Sequence, residues 1–141
     1  MNILLAVDGS ENSIRATKSL IEQLSLFKEA PHLDVVTVHL PLPNVGTTHM
    51  ITSEIRDKYY KEECDEALAP TIALLDAAKV PHKTHRLIGQ VAETVVKAAK
   101  DLGSNVIYMG THGRTGMTRV VMGSVATKVL HLSPVPVQLV R

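Results

Sequence analysis

The chain has 141 residues, of which 45% are hydrophobic and 21% charged, and its formal net charge is +1. That length can bury a core in one domain, here taken as residues 1–141, and so small a charge gives the whole molecule no strong pull on nucleic acid or an anionic membrane. With one Phe, three Tyr and no Trp it lacks stacking platforms for single-stranded nucleic acid. Its one cysteine, Cys64, allows no internal disulfide.

Ile3–Val7 is a short unbroken apolar run, the pattern of a strand buried on both faces. Asp8-Gly9-Ser10 stops it in a turn suited to capping a helix. Apolar residues at 14, 16, 20, 21, 24 and 27 predict a helix over Ile14–Phe27, closed by Pro31. Leu33–Leu40, rich in β-branched residues, reads as a second strand. From Pro41 to Ser53 the chain is irregular, long enough for a mobile connection or flap. A charged helix is expected over Glu54–Lys79, with Pro70 kinking it or lying in a break.

His82–Leu87 has the polar character of an edge strand. Gly89 leads into a helix over Val91–Leu102, with Gly103 as its C-cap. Asn105–Met109 is strand four, 123–132 a helix, and Val135–Val140 strand five, an edge because of Pro134 and Pro136. Alternating strands and helices predict an α/β fold, a doubly wound parallel sheet of five strands in the order 3-2-1-4-5 with helices on both faces. Ligands of such sheets sit beyond the strand C-termini where the order reverses. Asp8 and Gly110 would flank that crevice.

The main chemical signal follows strand four. Gly110-Thr-His-Gly113 is separated by nine residues from Gly123-Ser124, where the last helix begins. Glycines let backbone approach an anion, and a helix start offers unpaired N–H groups at the positive end of its dipole. The surrounding charge agrees. Residues 102–141 hold four cations and no acid, whereas residues 1–101 hold 11 cations against 14 acids. A phosphate site is the expected chemistry. The chain lacks the Gly-x4-Gly-Lys of a P-loop and the Gly-x-Gly-x-x-Gly of a dinucleotide fold. It also lacks the His-x-Gly-His and Ser-Gly-Gly elements of related nucleotidyl transferases and pyrophosphatases.

Val7-Asp8-Gly9-Ser10, Gly89-x-x-Ala-Glu93, Met109-Gly110-Thr-His-Gly113-Arg114, Gly123-Ser124-Val125 and the closing Pro-Val-x-x-Val together resemble the universal stress protein family. The intact G-x2-G-x9-G-[S/T] spacing resembles its ATP-binding branch. The resemblance implies that Ala6 and Val7 line an adenine pocket, and that Asp8 meets the ribose or a metal-bound water. Leu40 would present backbone to the base and Met109 would cover base or sugar. Gly110, Gly113, Gly123, Ser124 and Val125 would wrap the phosphates, with charge from Arg114. The implied ligand is ATP, with Mg or Mn carried alongside, or AMP. Strand 135–140 would pair with its copy in a homodimer, and an unidentified protein would be the downstream partner. One departure stands at Gln90-Val91, where many relatives have an acid and a proline.

Asp8 and Ser124 also fit plain helix caps, and His112 fits loop packing better than catalysis. His82 and His85 are too sparse for a metal site, and Cys64 has no basic neighbour pattern to activate it. Without a signal peptide or a run of membrane-spanning length, a cytoplasmic setting is expected. Three functions stay open: an ATP-binding regulatory module, a slow ATP hydrolase, and a scaffold independent of nucleotide. The first is preferred, and no catalytic residue is assigned.

Overall fold

A computed structural model describes residues 1–43, 51–112 and 122–141. The elements follow in the order β1 (Asn2–Ala6), α1 (Glu11–Gln23), β2 (His32–His39), α2 (Ser53–Ala77), β3 (Lys83–Ile88), α3 (Val91–Asp101), β4 (Val106–Gly110), α4 (Ser124–Leu132) and β5 (Val137–Val140). All four strand pairings are parallel, and the sheet order is β3-β2-β1-β4-β5. This is the expected Rossmann-like topology.

Two cores sandwich the sheet. On one face Ile3, Leu5, Leu33 and Val35 pack against Ala16 and Leu20 of α1 and Leu68 and Leu75 of α2. On the other, Leu4, Val36 and Ile107 pack against Val95 and Ala99 of α3 and Val129 of α4. The alternation of Ile3-Leu4-Leu5 between both cores explains why β1 shows no polar alternation: each of its faces is covered. Each such side chain contributes roughly 1.5–3 kcal/mol on burial.

Several local expectations are corrected. The first helix spans 11–23 rather than 14–27: Ser10 caps it by accepting from the Ser13 amide, and Leu24–Leu26 tightens into a 3₁₀ turn. Pro70 does not break α2, which runs from Ser53 to Ala77 with Pro70 inside it. The proline leaves the Glu66 carbonyl without its helical donor, yet Glu66 is exposed and water can serve it. Buried Ala67, Leu68, Thr71 and Leu75 on either side hold the segment in place. Leu102, not Gly103, is the C-cap of α3. Gly103 follows it at φ +63, and the bonds Ser104 N–H to Ala99 O and Gly103 N–H to Lys100 O close the turn. The flap expected over 41–53 falls mostly outside the described residues.

β1 and β4 are neighbours, with Ala6 opposite Met109. The helices on the two sides of this seam leave in opposite directions: α1 and α2 cover one face, α3 and α4 the other. A crevice therefore opens beyond the C-terminal ends of β1 and β4.

Candidate functional site

The crevice is a cleft of ≈ 490 Å³, a size typical of small-molecule sites. Its floor is the seam itself: Ala6 at the end of β1 with Val7 and Asp8 beyond it, and Met109 and Gly110 at the end of β4 with Thr111 and His112 beyond them. Gly123 with Ser124, Val125 and Ala126 of α4 form one end, and Val38 and His39 of β2, the following Leu40, and Glu63 and Cys64 of α2 form the other. Val91 and Val95 of α3 add an apolar wall. Nine residues expected at a nucleotide site thus line one cavity: Ala6, Val7, Asp8, Leu40, Met109, Gly110, Gly123, Ser124 and Val125. Gly113 and Arg114 lie outside the described residues.

Asp8 is not the cap of α1. Its Oδ1 accepts from the Ser10 amide at 2.9 Å and from the Ser13 hydroxyl at 2.6 Å, while the Asp8 amide donates to Ser13 Oγ at 2.9 Å. This ring of bonds makes the loop after β1 rigid and holds the carboxylate on the cleft floor. Ser13 is buried and lines the cleft as well. Nothing in the sequence marks it, because a serine in a helix's first turn ordinarily reads as solvated.

Two glycines owe their identity to packing. A Cβ on Gly110 would lie 2.8–3.0 Å from Asn12 of α1, including its backbone. One on Gly123 would lie 2.9 Å from the Thr111 carbonyl oxygen and 3.3 Å from His112 Cα. Gly9, at φ +79, lets α2 cross close above it, with a Cβ 3.1 Å from Ala67 Cα.

Gly123 is the N-cap of α4, so Ser124 is the helix's first residue and not its cap. Among the described residues no side chain caps this end. The Gly123 amide already donates to Thr111 O at 2.8 Å, which leaves the amides of Ser124, Val125 and Ala126 as the helix-end donors at the cleft. At the first turn of α3, Glu93 pairs with Lys128 of α4, and that hydrogen bond holds the Glu93 carboxyl below its ordinary range. The pair braces the two helices that wall this end.

His112 lines the cleft, with Nδ1 3.0 Å from the Thr111 hydroxyl. Cys64 is buried at the far end. Burial pushes its thiol pKa up, and the nearby Arg86 charge only partly opposes this. His82 bonds the Val80 carbonyl and His85 pairs with Asp34 at 2.7 Å. Among the described residues no three metal-ligating side chains cluster, and no helix is long and apolar enough to cross a membrane.

Comparison with protein families matches residues 1–141 to the universal stress protein family. The chain belongs to that family. The universal stress protein MJ0531 of Methanocaldococcus jannaschii is 33% identical over 140 residues, covering 99% of this chain and 81% of the relative. The solved structure of the hypothetical protein MJ0577 superposes with a TM-score of 0.77 at 25% identity, covering 99% of this chain and 94% of that one. Two family structures at lower identity share the fold. One is a universal stress protein in complex with cAMP, with TM-score 0.71 at 17% identity, covering 100% of this chain and 97% of that one. The other is the Archaeoglobus fulgidus protein in complex with dAMP, with TM-score 0.66 at 24% identity, covering 100% and 98%.

Proposed function

We propose that this universal stress protein is a regulatory module that binds an adenine nucleotide, ATP or AMP, in the cleft between β1 and β4. The observation that carries this reading is the uncapped start of α4 at one end of an otherwise largely apolar cleft. Phosphates meet the amides of Ser124, Val125 and Ala126 and the positive end of the helix dipole. The base then lies along Val91 and Val95 toward Leu40. The cAMP and dAMP complexes of two fold relatives support the choice of an adenine ligand.

Binding rather than hydrolysis is the favoured activity. Asp8, the carboxylate on the cleft floor, is engaged by Ser10 and Ser13 and shapes its loop instead of waiting for a proton. Bound nucleotide orders the cleft and biases a partner-binding conformation, in a cytoplasmic setting.

Calorimetric titration tests the reading, together with mass analysis of nucleotide that co-purifies. A micromolar affinity, about −8 kcal/mol, is expected. In Gly123→Val the Cβ meets the Thr111 backbone and displaces the start of α4. Affinity should fall at least ~10-fold, in line with one or two lost charge-assisted hydrogen bonds, with the circular dichroism spectrum unchanged. A flat titration of the native chain with both ATP and AMP would end the proposal.

A further inference from the structure

The β2 end of the cleft carries a histidine and a glutamate that the phosphate end does not explain. Glu63 and His39 both line the cleft there, next to Leu40. The His39 ring is fixed from several sides. Its Nδ1 donates to the Leu40 carbonyl at 2.7 Å. Tyr59 and Tyr60 meet it edge-on, each with ring centroids 5.6 Å away. Tyr60 is itself held by the Leu42 amide, which donates to its hydroxyl at 2.7 Å. Because Nδ1 is spent on a carbonyl, the ring presents Nε2, which stands 3.8 Å from Glu63 Oε2. Both side chains are partly shielded, 25% and 32% exposed.

We infer that Glu63 is the side chain that selects the base, by accepting a hydrogen bond from the exocyclic amino group of adenine. The inference rests on the nucleotide reading above and deepens it. If phosphates occupy the start of α4, the base is carried to the end where Glu63 stands. An ionised carboxylate only accepts hydrogen bonds. It therefore favours an edge that offers an amino group and repels one that offers a carbonyl oxygen, as hypoxanthine does. Guanine carries a carbonyl oxygen at the same ring position and is disfavoured there for the same reason. A carboxylate facing that position matches the amino group of adenine. Glu63 thus touches the base.

The test is equilibrium binding of AMP, IMP and GMP to the whole chain and to Glu63→Gln and Glu63→Ala. Circular dichroism and thermal melting establish that each variant is folded. The native chain should prefer AMP over IMP and GMP by about tenfold or more, the value of one sheltered hydrogen bond to a charged group. Glutamine can turn either its oxygen or its amide toward the base, so in Glu63→Gln the ratios should shrink to about threefold or less, and likewise in Glu63→Ala. Unchanged ratios in both Glu63 variants overturn the inference, as does a native preference for GMP or IMP, while leaving nucleotide binding intact. Failure of the native chain to bind any of the three, or ATP, overturns the nucleotide reading itself and this inference with it.

Discussion

Lys79 adopts a backbone conformation that few side chains tolerate. It follows the C-cap of α2 with φ +55, the one non-glycine positive φ among the described residues. The helix ends there with the Val80 amide on Leu75 O at 2.9 Å and the Lys79 amide on Asp76 O at 3.0 Å, the arrangement that ordinarily recruits glycine. Lys79 is exposed, so its side chain returns little packing for the strain. Lys79→Gly should therefore stabilise the fold. Relief of the left-handed conformation is worth about 1–2 kcal/mol, and glycine's extra freedom in the unfolded chain takes back about 0.4–1 kcal/mol. A net gain of about 0.5–1 kcal/mol is expected, read as a rise in the urea midpoint at constant m-value. At Gly110 and Gly123 the argument runs the other way. There φ is unremarkable and the missing Cβ makes room for backbone of α1 and of the loop after β4, so any substitution is felt in the position of the cleft walls.

At the scale of elements, legibility followed burial. The strands β1, β2 and β4 are visible in the sequence because a run covered on both faces must be apolar throughout, and β3 and β5 show as edges through His82, Lys83, Pro134 and Pro136. Boundaries were less visible where a local bond decided them. Ser10 rather than the first apolar residue starts α1, and the 3₁₀ turn at Leu24 ends its stripe early. Pro70 misled for a different reason: its cost of about 3 kcal/mol is local, and the burial of Leu68 and Leu75 that offsets it is set by residues far away in sequence. The edge of β5 carries its own prediction. Ile107 and Thr111 donate to the carbonyls of Pro136 and Val140, so by strand alternation Val137 and Leu139 turn their backbone groups outward. If two copies pair along this edge, as the family resemblance implies, Val137→Pro removes one outward N–H per copy while keeping the β4 ladder, at a strand start where proline is tolerated. Two lost bonds at about 0.5–1.5 kcal/mol each should weaken the dimer roughly 5- to 100-fold. Sedimentation velocity on a dilution series checks this, and a native chain that stays monomeric at high concentration refutes the pairing.

For the molecule as a whole, the cleft's charge balance sets what it can hold. The glycine signature and the turn after β1 were legible because their spacing is local. Glu63 and His39 were not, since α2 brings them together across the irregular stretch 41–53 and nothing in either neighbourhood marks the meeting. Their presence changes the electrostatics. Among the described residues that line the cleft there are two carboxylates, Asp8 and Glu63, and neither a lysine nor an arginine. The basic residues 102–141 lend a favourable background, and the partners we propose for phosphate among the described residues are peptide amides and a helix dipole, the dipole worth about 0.3–1 kcal/mol per anion at an exposed helix end. A monophosphate suits such a site. A triphosphate brings about twice the charge into the neighbourhood of Asp8 and needs a counter-charge of its own. No set of three or more ligating side chains is gathered among the described residues to supply a resident metal, so a divalent cation would arrive on the nucleotide. Affinity for ATP should therefore fall about tenfold or more when Mg²⁺ is replaced by a chelator, a difference of about 1.4 kcal/mol, while affinity for AMP shifts less than about twofold. Parallel calorimetric titrations of the two nucleotides, with metal and with chelator at matched ionic strength, measure both. Equal loss for ATP and AMP would mean that the cation acts on the protein and not on the phosphates. No loss for either would mean that the amides and the dipole neutralise three phosphates unaided, against the charge count of the cleft.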